Sequence, residues 1–197
     1  MAEVLLFHHV QGRTDGVLAF ADDLRASGHI VHCPDLFGGN VFATVDDGIS
    51  WAVETGFGVL IERGLDHAAA FPASLVYAGF SFGVLPAQRL AQTRAGARGA
   101  LFFESCSPVD EFGDGWPEGL AVQVHGMDAD PFFAAEGDID AARALVEEAG
   151  ATARAELFVY PGDQHLFADR SLPSYDSEAA QLLMSRVLDF LEALDEV

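Results

Sequence analysis

Gly79-Phe80-Ser81-Phe82-Gly83 is a G-x-S-x-G sequence between an apolar run and the start of a helical pattern. A serine hydroxyl is a weak nucleophile until a base takes its proton, and that base needs a third group to fix its tautomer. Glycines two positions either side of the serine suit a tight turn in which side chains would collide with the adjoining strand and helix. His165, within Pro161-Gly162-Asp163-Gln164-His165-Leu166-Phe167, is the candidate base. The candidate acid is Asp130, within His125-Gly126-Met127-Asp128-Ala129-Asp130-Pro131-Phe132-Phe133, with Asp128 competing for the role. The chain order serine, aspartate, histidine is the one used when a doubly wound sheet carries the nucleophile. Such a set would activate Ser81 as a nucleophile.

The elements that must position these residues alternate along the chain. Val4 to His8 reads as a first strand, followed by a helix from an N-cap at Thr14 or Asp15 to Gly28. A second strand, His29 to Cys33, stops at Pro34. A helical region from about Asp46 to Ala70 carries a candidate break near Gly56 and Gly58. Further strands are expected at Leu75–Ala78, Ala100–Glu104, Ala121–His125 and Ala155–Tyr160. Helices are expected from near Phe82, over Asp140–Ala149 and over Ser177–Leu194. Repeated units of this length predict an α/β protein: a mostly parallel sheet of about six strands between two helical layers, one domain over 1–197. Ligands in such sheets collect at the carboxyl ends of the strands. The polar residues there are His8 and His9, Asp35, Ser81, Glu104 and Ser105, Asp128 and Asp130, and His165. Phe80, Phe132 and Phe167 flank the proposed reacting residues, and with Phe37 and His9 they are the expected substrate pocket.

Composition narrows the partners. The 197 residues are 50% hydrophobic and 21% charged, which suits a packed core and excludes a disordered chain. The formal charge is −21, and all ten basic residues are arginine. That field repels phosphates, so nucleic acid and anionic membranes are not expected partners. Ala68 to Ala87 is uncharged and long enough to span a bilayer, but Pro72, Gly79, Gly83 and Pro86 make it read as loop, strand and helix start. Two cysteines, Cys33 and Cys106, form no disulfide framework, and the amino terminus lacks the pattern of a signal peptide, so a cytoplasmic monomer or homodimer is expected. His8, His9, His125 and His165 with Asp130 could be read as metal ligands. No two of them show the i, i+4 pairing of common zinc hydrolases, so neither metal nor other cofactor is expected.

At these residues the sequence resembles the dienelactone hydrolase family of α/β-hydrolases. The likeness covers nearly the whole chain: the Pro34-Asp35-Leu36-Phe37 turn, the elbow at Gly79 to Gly83, the Asp130-Pro131-Phe132-Phe133 stretch, and a histidine followed two positions on by phenylalanine. It implies an α/β-hydrolase fold with little or no lid, Ser81 as nucleophile, Asp130 as orienting acid and His165 as base. It also implies an oxyanion hole from the backbone amides of Val10 and Phe82. The Pro-Phe-Phe sequence after Asp130 favours that residue over Asp128. Founding members use a cysteine nucleophile and a glutamate after the first strand, where this chain has Ser81 and His9. They also bind a substrate carboxylate with an arginine four residues after the catalytic histidine, where this chain has Asp169, with Arg170 next to it. The expected substrate is therefore a neutral or weakly polar small ester or lactone rather than an anionic dienelactone. A small-molecule-binding protein without chemistry on the same fold is the alternative.

Overall fold

The computed structural model describes residues 1–150 and 153–195. Its sheet holds β1 (Glu3–Phe7), β2 (Ile30–His32), β3 (Val76–Phe80), β4 (Gly99–Phe103), β5 (Val122–Met127) and β6 (Ala155–Tyr160). All neighbours pair in parallel, in the order β2-β1-β3-β4-β5-β6. The helices are α1 (Asp15–Ala26), α2 (Val45–Thr55), α3 (Phe57–Ala69), α4 (Val84–Thr93), α5 (Asp138–Ala149) and α6 (Ser177–Asp195). This is the expected α/β architecture, with every strand pair parallel.

Side chains alternate across the strands and so divide the core in two. Leu5, Phe7, Tyr77, Ala100, Phe102, Val122 and Val124 face one way, against Leu60 and Ala68 of α3, Val84 to Ala91 of α4 and the apolar positions of α5. Val4, Leu6, Val76, Ala78, Phe80, Leu101 and Phe103 face the other, against Val17, Phe20, Ala21 and Leu24 of α1 and Leu183 to Leu191 of α6. The chain runs from β1 outward to β2 and then returns past β1 to β3. A crevice therefore opens between the carboxyl ends of β1 and β3, the place where such sheets bind ligands. Ser81 follows β3 and Val10 follows β1.

Several boundaries differ from the expected ones for local reasons. The helical region after residue 45 divides at Gly56, whose φ of +96° lets it end α2 and begin α3. β5 runs two residues past His125, because Gly126 and Met127 pair with Val159 and Tyr160. Gly126 leaves room for a ring, since a Cβ there would lie 2.2 Å from Phe133. The uncharged stretch 68–87 is shared among the end of α3, β3, a 3₁₀ turn and the start of α4. Among the described residues no helix is long and apolar enough to cross a membrane.

Candidate active site

The elbow is built by close backbone approach. β3 ends at Phe80, and Ser81 adopts φ 46°, a left-handed conformation uncommon for residues other than glycine, before the turn Ser81–Gly83 leads into α4. A Cβ on Gly79 would lie 2.1 Å from the Gly83 carbonyl oxygen, and one on Gly83 would lie 2.4 Å from the Phe7 carbonyl oxygen. Only hydrogen fits at either position. Among the described residues the other non-glycine positive φ values belong to Glu104 (61°) and Leu166 (63°). Both are at this site, one at the end of β4 and the other directly after His165, so backbone strain gathers where the polar groups converge.

Ser81 Oγ lies 2.9 Å from His165 Nε2, and His165 Nδ1 lies 2.8 Å from Asp130 Oδ2. The other Asp130 oxygen accepts from the backbone N–H groups of Phe132 and Phe133, at 2.8 and 3.2 Å. Asp130 is wholly buried, and Phe132 packs on the imidazole with ring centroids 4.6 Å apart. Burial pulls the His165 pKa down. The Asp130 hydrogen bond and the charges of Glu104, Asp130 and Asp138 outweigh it and leave the pKa above its ordinary value. Asp128 stands outside this chain of contacts: it is exposed and accepts from the Gly162 N–H at 3.0 Å, clasping the loop that carries His165.

A cavity of about 180 Å³ opens on Ser81 and His165. Val10 and Phe82, the expected oxyanion-hole residues, both line it, as does Phe132. The remaining lining is mixed in chemistry: Val45, Ile49, Phe57 and Leu85 are apolar, and Glu104, Ser105, Glu136 and Asp138 are polar. α2 and the start of α3 thus supply the cover. Gly48 makes that approach possible, because a Cβ there would lie 2.2 Å from the Val10 carbonyl oxygen.

Four residues expected in the pocket do not line it. Phe80 points to the opposite face of the sheet, where its ring meets Phe20 and Phe103 at centroid distances of 5.0 and 4.6 Å. Phe167 lies in the same layer, against Tyr160. Phe37 is buried between His8, Trp51 and Phe82, behind the cavity wall. His9 is fully buried, its Nε2 2.8 Å from Asp169 Oδ2 and its Nδ1 accepting from the Gln11 N–H at 3.2 Å. Flanking a reacting residue in sequence sends a side chain to the far side of a strand as readily as into the site.

Asp169 is equally remote from the cavity. It accepts from His9, from the Thr14 hydroxyl, and from the Ser171 N–H and hydroxyl at 2.8 and 2.6 Å. Burial works to raise its pKa, but these bonds hold the carboxyl down at about 2. The acidity inferred at the substrate site from Asp169 comes instead from Glu104, Glu136 and Asp138. Asp138 is tied to the loop after β4, accepting from the Ser105 hydroxyl at 2.6 Å and the Cys106 N–H at 3.2 Å. Glu104 is a different case: both of its oxygens are buried without a hydrogen-bond partner, the only buried side-chain polar atoms so placed among the described residues. The Phe167 amide lies close enough to favour its ionised form but makes no hydrogen bond of ordinary geometry to it. Burial pushes this carboxyl up to about 8; His165 and the Phe167 amide oppose the rise, and Asp130 and Asp169 add to it. Its sequence signal was a lone acid ending the run Ala100-Leu101-Phe102-Phe103.

The four histidines considered as metal ligands are each committed to protein partners at both ring nitrogens. His8 Nδ1 bonds the His9 carbonyl while Nε2 accepts from the Leu36 N–H, and His125 sits between Tyr160 and Gln123. Among the described residues no three histidine, cysteine or acidic side chains are grouped to hold a metal ion.

A model of the dienelactone hydrolase family matches residues 1–194. The chain belongs to the dienelactone hydrolase family. A dienelactone is a cyclic ester, so membership places it among hydrolases that act on ester bonds. Solved structures carry the same fold at low identity. A dienelactone hydrolase-like promiscuous phosphotriesterase from metagenomic libraries is 18% identical, with a TM-score of 0.72 over 98% of this chain and 87% of that one. A Klebsiella pneumoniae protein provisionally named a dienelactone hydrolase matches at 18% identity and a TM-score of 0.70, with the same coverage. Esterase PE8 follows at 18% identity and 0.61, over 95% of this chain and 92% of that one. No curated protein matches the chain.

Proposed function

We propose that the protein is a small serine hydrolase that cleaves a short ester or lactone through an acyl-enzyme on Ser81. The observation that carries this reading is the continuous contact from Ser81 Oγ through His165 to Asp130, 2.9 and 2.8 Å, opening on a cavity. His165 Nε2 takes the hydroxyl proton as Oγ bonds to the substrate carbonyl carbon, while Asp130 holds Nδ1–H and stabilises the imidazolium. The oxyanion forms beside the amides of Val10 and Phe82, and the intermediate collapses as His165 returns the proton to the leaving alcohol. Water then attacks the acyl-enzyme with His165 again as base, and Ser81 leaves with the proton restored.

At about 180 Å³ the cavity lies below the roughly 300–1,000 Å³ typical of drug-sized ligands, which favours short acyl groups. The test is hydrolysis of a short-chain chromogenic ester by the wild type and by Ser81→Ala, with a fluorophosphonate probe on both. Turnover and labelling that both vanish in the variant support the reading. Undiminished turnover in the variant, or a wild type that is neither labelled nor active, refutes it and leaves the non-catalytic binding protein.

A further inference from the structure

The cavity beside Ser81 holds a buried carboxyl that the acyl-enzyme chemistry does not use. Polar groups in protein interiors are almost always paired, because an unpaired one opposes folding. Glu104 is 1% exposed, has no partner for either oxygen, and is held at φ 61° on the cavity wall. Glu136 and Asp138 line the same wall, and none of the chain's ten arginines does. Phe57, Phe82 and Phe132 line the same cavity, and aromatic π faces attract cations. An anionic ligand would meet Glu136 and Asp138 with no arginine to offset them, and a purely apolar one would leave Glu104 unpaired. A ligand with a positively charged N–H donor answers both sets of residues at once.

We propose that Glu104, supported by Glu136 and Asp138, forms a cation subsite that selects small esters carrying a protonated amine. When the amine binds with its proton, the Glu104 carboxyl gives its own proton to solvent and the two remain as an ion pair in the cavity. This deepens the reading of the site as an esterase and rests on it.

The experiment compares charged esters with their carbon isosteres. Dimethylaminoethyl butyrate is set against isoamyl butyrate for a cation on the alcohol side. Ethyl dimethylaminobutyrate is set against ethyl methylhexanoate, branched at the matching carbon, for a cation on the acyl side. Each is followed by titration of released acid. The expected result is a kcat/KM preference of about tenfold or more for the charged member of at least one pair, falling below about threefold in Glu104→Gln. Glu136→Gln, on an exposed residue, is expected to lower the same ratio by about twofold. Calorimetric binding of the same esters to Ser81→Ala is expected to show the preference without turnover, and to lose it when Glu104→Gln is added. No preference in either pair, or a preference untouched by Glu104→Gln, overturns the subsite. Equal losses on charged and neutral esters also overturn it, and mark Glu104 as a residue that positions His165. If no ester is turned over, the serine hydrolase reading fails by itself, and calorimetry on Ser81→Ala still decides the subsite.

Discussion

The molecule contains two buried histidine–aspartate pairs with the same 2.8 Å contact, His165–Asp130 and His9–Asp169. They differ in what meets the second ring nitrogen. In the first, Nε2 faces a serine hydroxyl beside a cavity; in the second, Nδ1 accepts from the backbone N–H of Gln11. The environments push the two imidazoles in opposite directions. Burial dominates at His9 and lowers its pKa, whereas at His165 the Asp130 bond and nearby acids overcome burial and raise it. The acids differ too: Asp130 takes its remaining bonds from the backbone of its own turn, while Asp169 joins Ser171 of its own loop to His9 and Thr14 of the loop after β1. Gly16 of α1 lies so close that a Cβ there would sit 1.6 Å from Asp169 Oδ1. A histidine–aspartate contact is therefore not itself a catalytic signature. On the proposed reading, the hydrogen-bond partner on the far nitrogen separates the reacting pair from the scaffolding one.

The widest gap between the pairs should appear on removing the group that the reactive one addresses. Ser81→Ala or His165→Ala is expected to cut ester turnover by about a thousandfold or more, with the fold intact by circular dichroism. His9→Gln should leave kcat within about threefold. Exchanging the acids comes next. Asp130→Asn should lower kcat by roughly 10²–10⁴-fold, because the imidazole loses its orienting acceptor. Asp169→Asn should instead cost about 2–4 kcal/mol of stability in a urea titration, since it strands buried donors. If the two substitutions gave the same pattern, the distinction drawn between the pairs would collapse.

Titration separates them further. His165 must be neutral to act as a base, and its pKa is raised, so kcat/KM should climb with pH through a midpoint above the ordinary 6.5. Asp169 is depressed from 3.8 to about 2, so its contribution to stability is full above the unfolded value and disappears as pH falls through about 2. Glu104 has the opposite sign. Its folded pKa of about 8 exceeds the unfolded 4.5, so its contribution is present below 4.5 and lost as pH rises towards 8. Across that range the wild type should lose stability relative to Glu104→Gln, read as the difference between their unfolding midpoints at the two ends. The smallest effect is expected at the residue that competed for the acid. Asp128→Ala should change kcat by less than about twofold and stability by about 1 kcal/mol, the value of its bond to the Gly162 N–H.

Residues whose roles follow from backbone geometry were legible in the sequence. Gly79 and Gly83 announce a turn with no room for Cβ, and Gly56 marks the break between α2 and α3. Strand-end position found Ser81, Asp130 and His165 because parallel strands deliver their carboxyl ends to one edge. Phe80 was misplaced in the pocket because adjacency along a strand alternates faces, and Phe167 and Asp169 were misread because a loop position does not say which way the side chain turns. Val45, Ile49 and Phe57 carried no signal at all: they reach the cavity only because α2 and α3 pack across it.

The sequence by itself determined the layered α/β architecture, the tight turn at Gly79 to Gly83 and the strand-end order of Ser81, Asp130 and His165, since these depend on periodicity, glycine sterics and strand ends, all local in the chain. Only the tertiary structure decided which aspartate meets which histidine, which aromatic rings wall the cavity, and that Glu104 is buried without a partner. Those are contacts between residues separated by tens of positions, as with the 35 between Asp130 and His165. Their distances are set by how helices and loops pack on the finished sheet, and no local pattern encodes that.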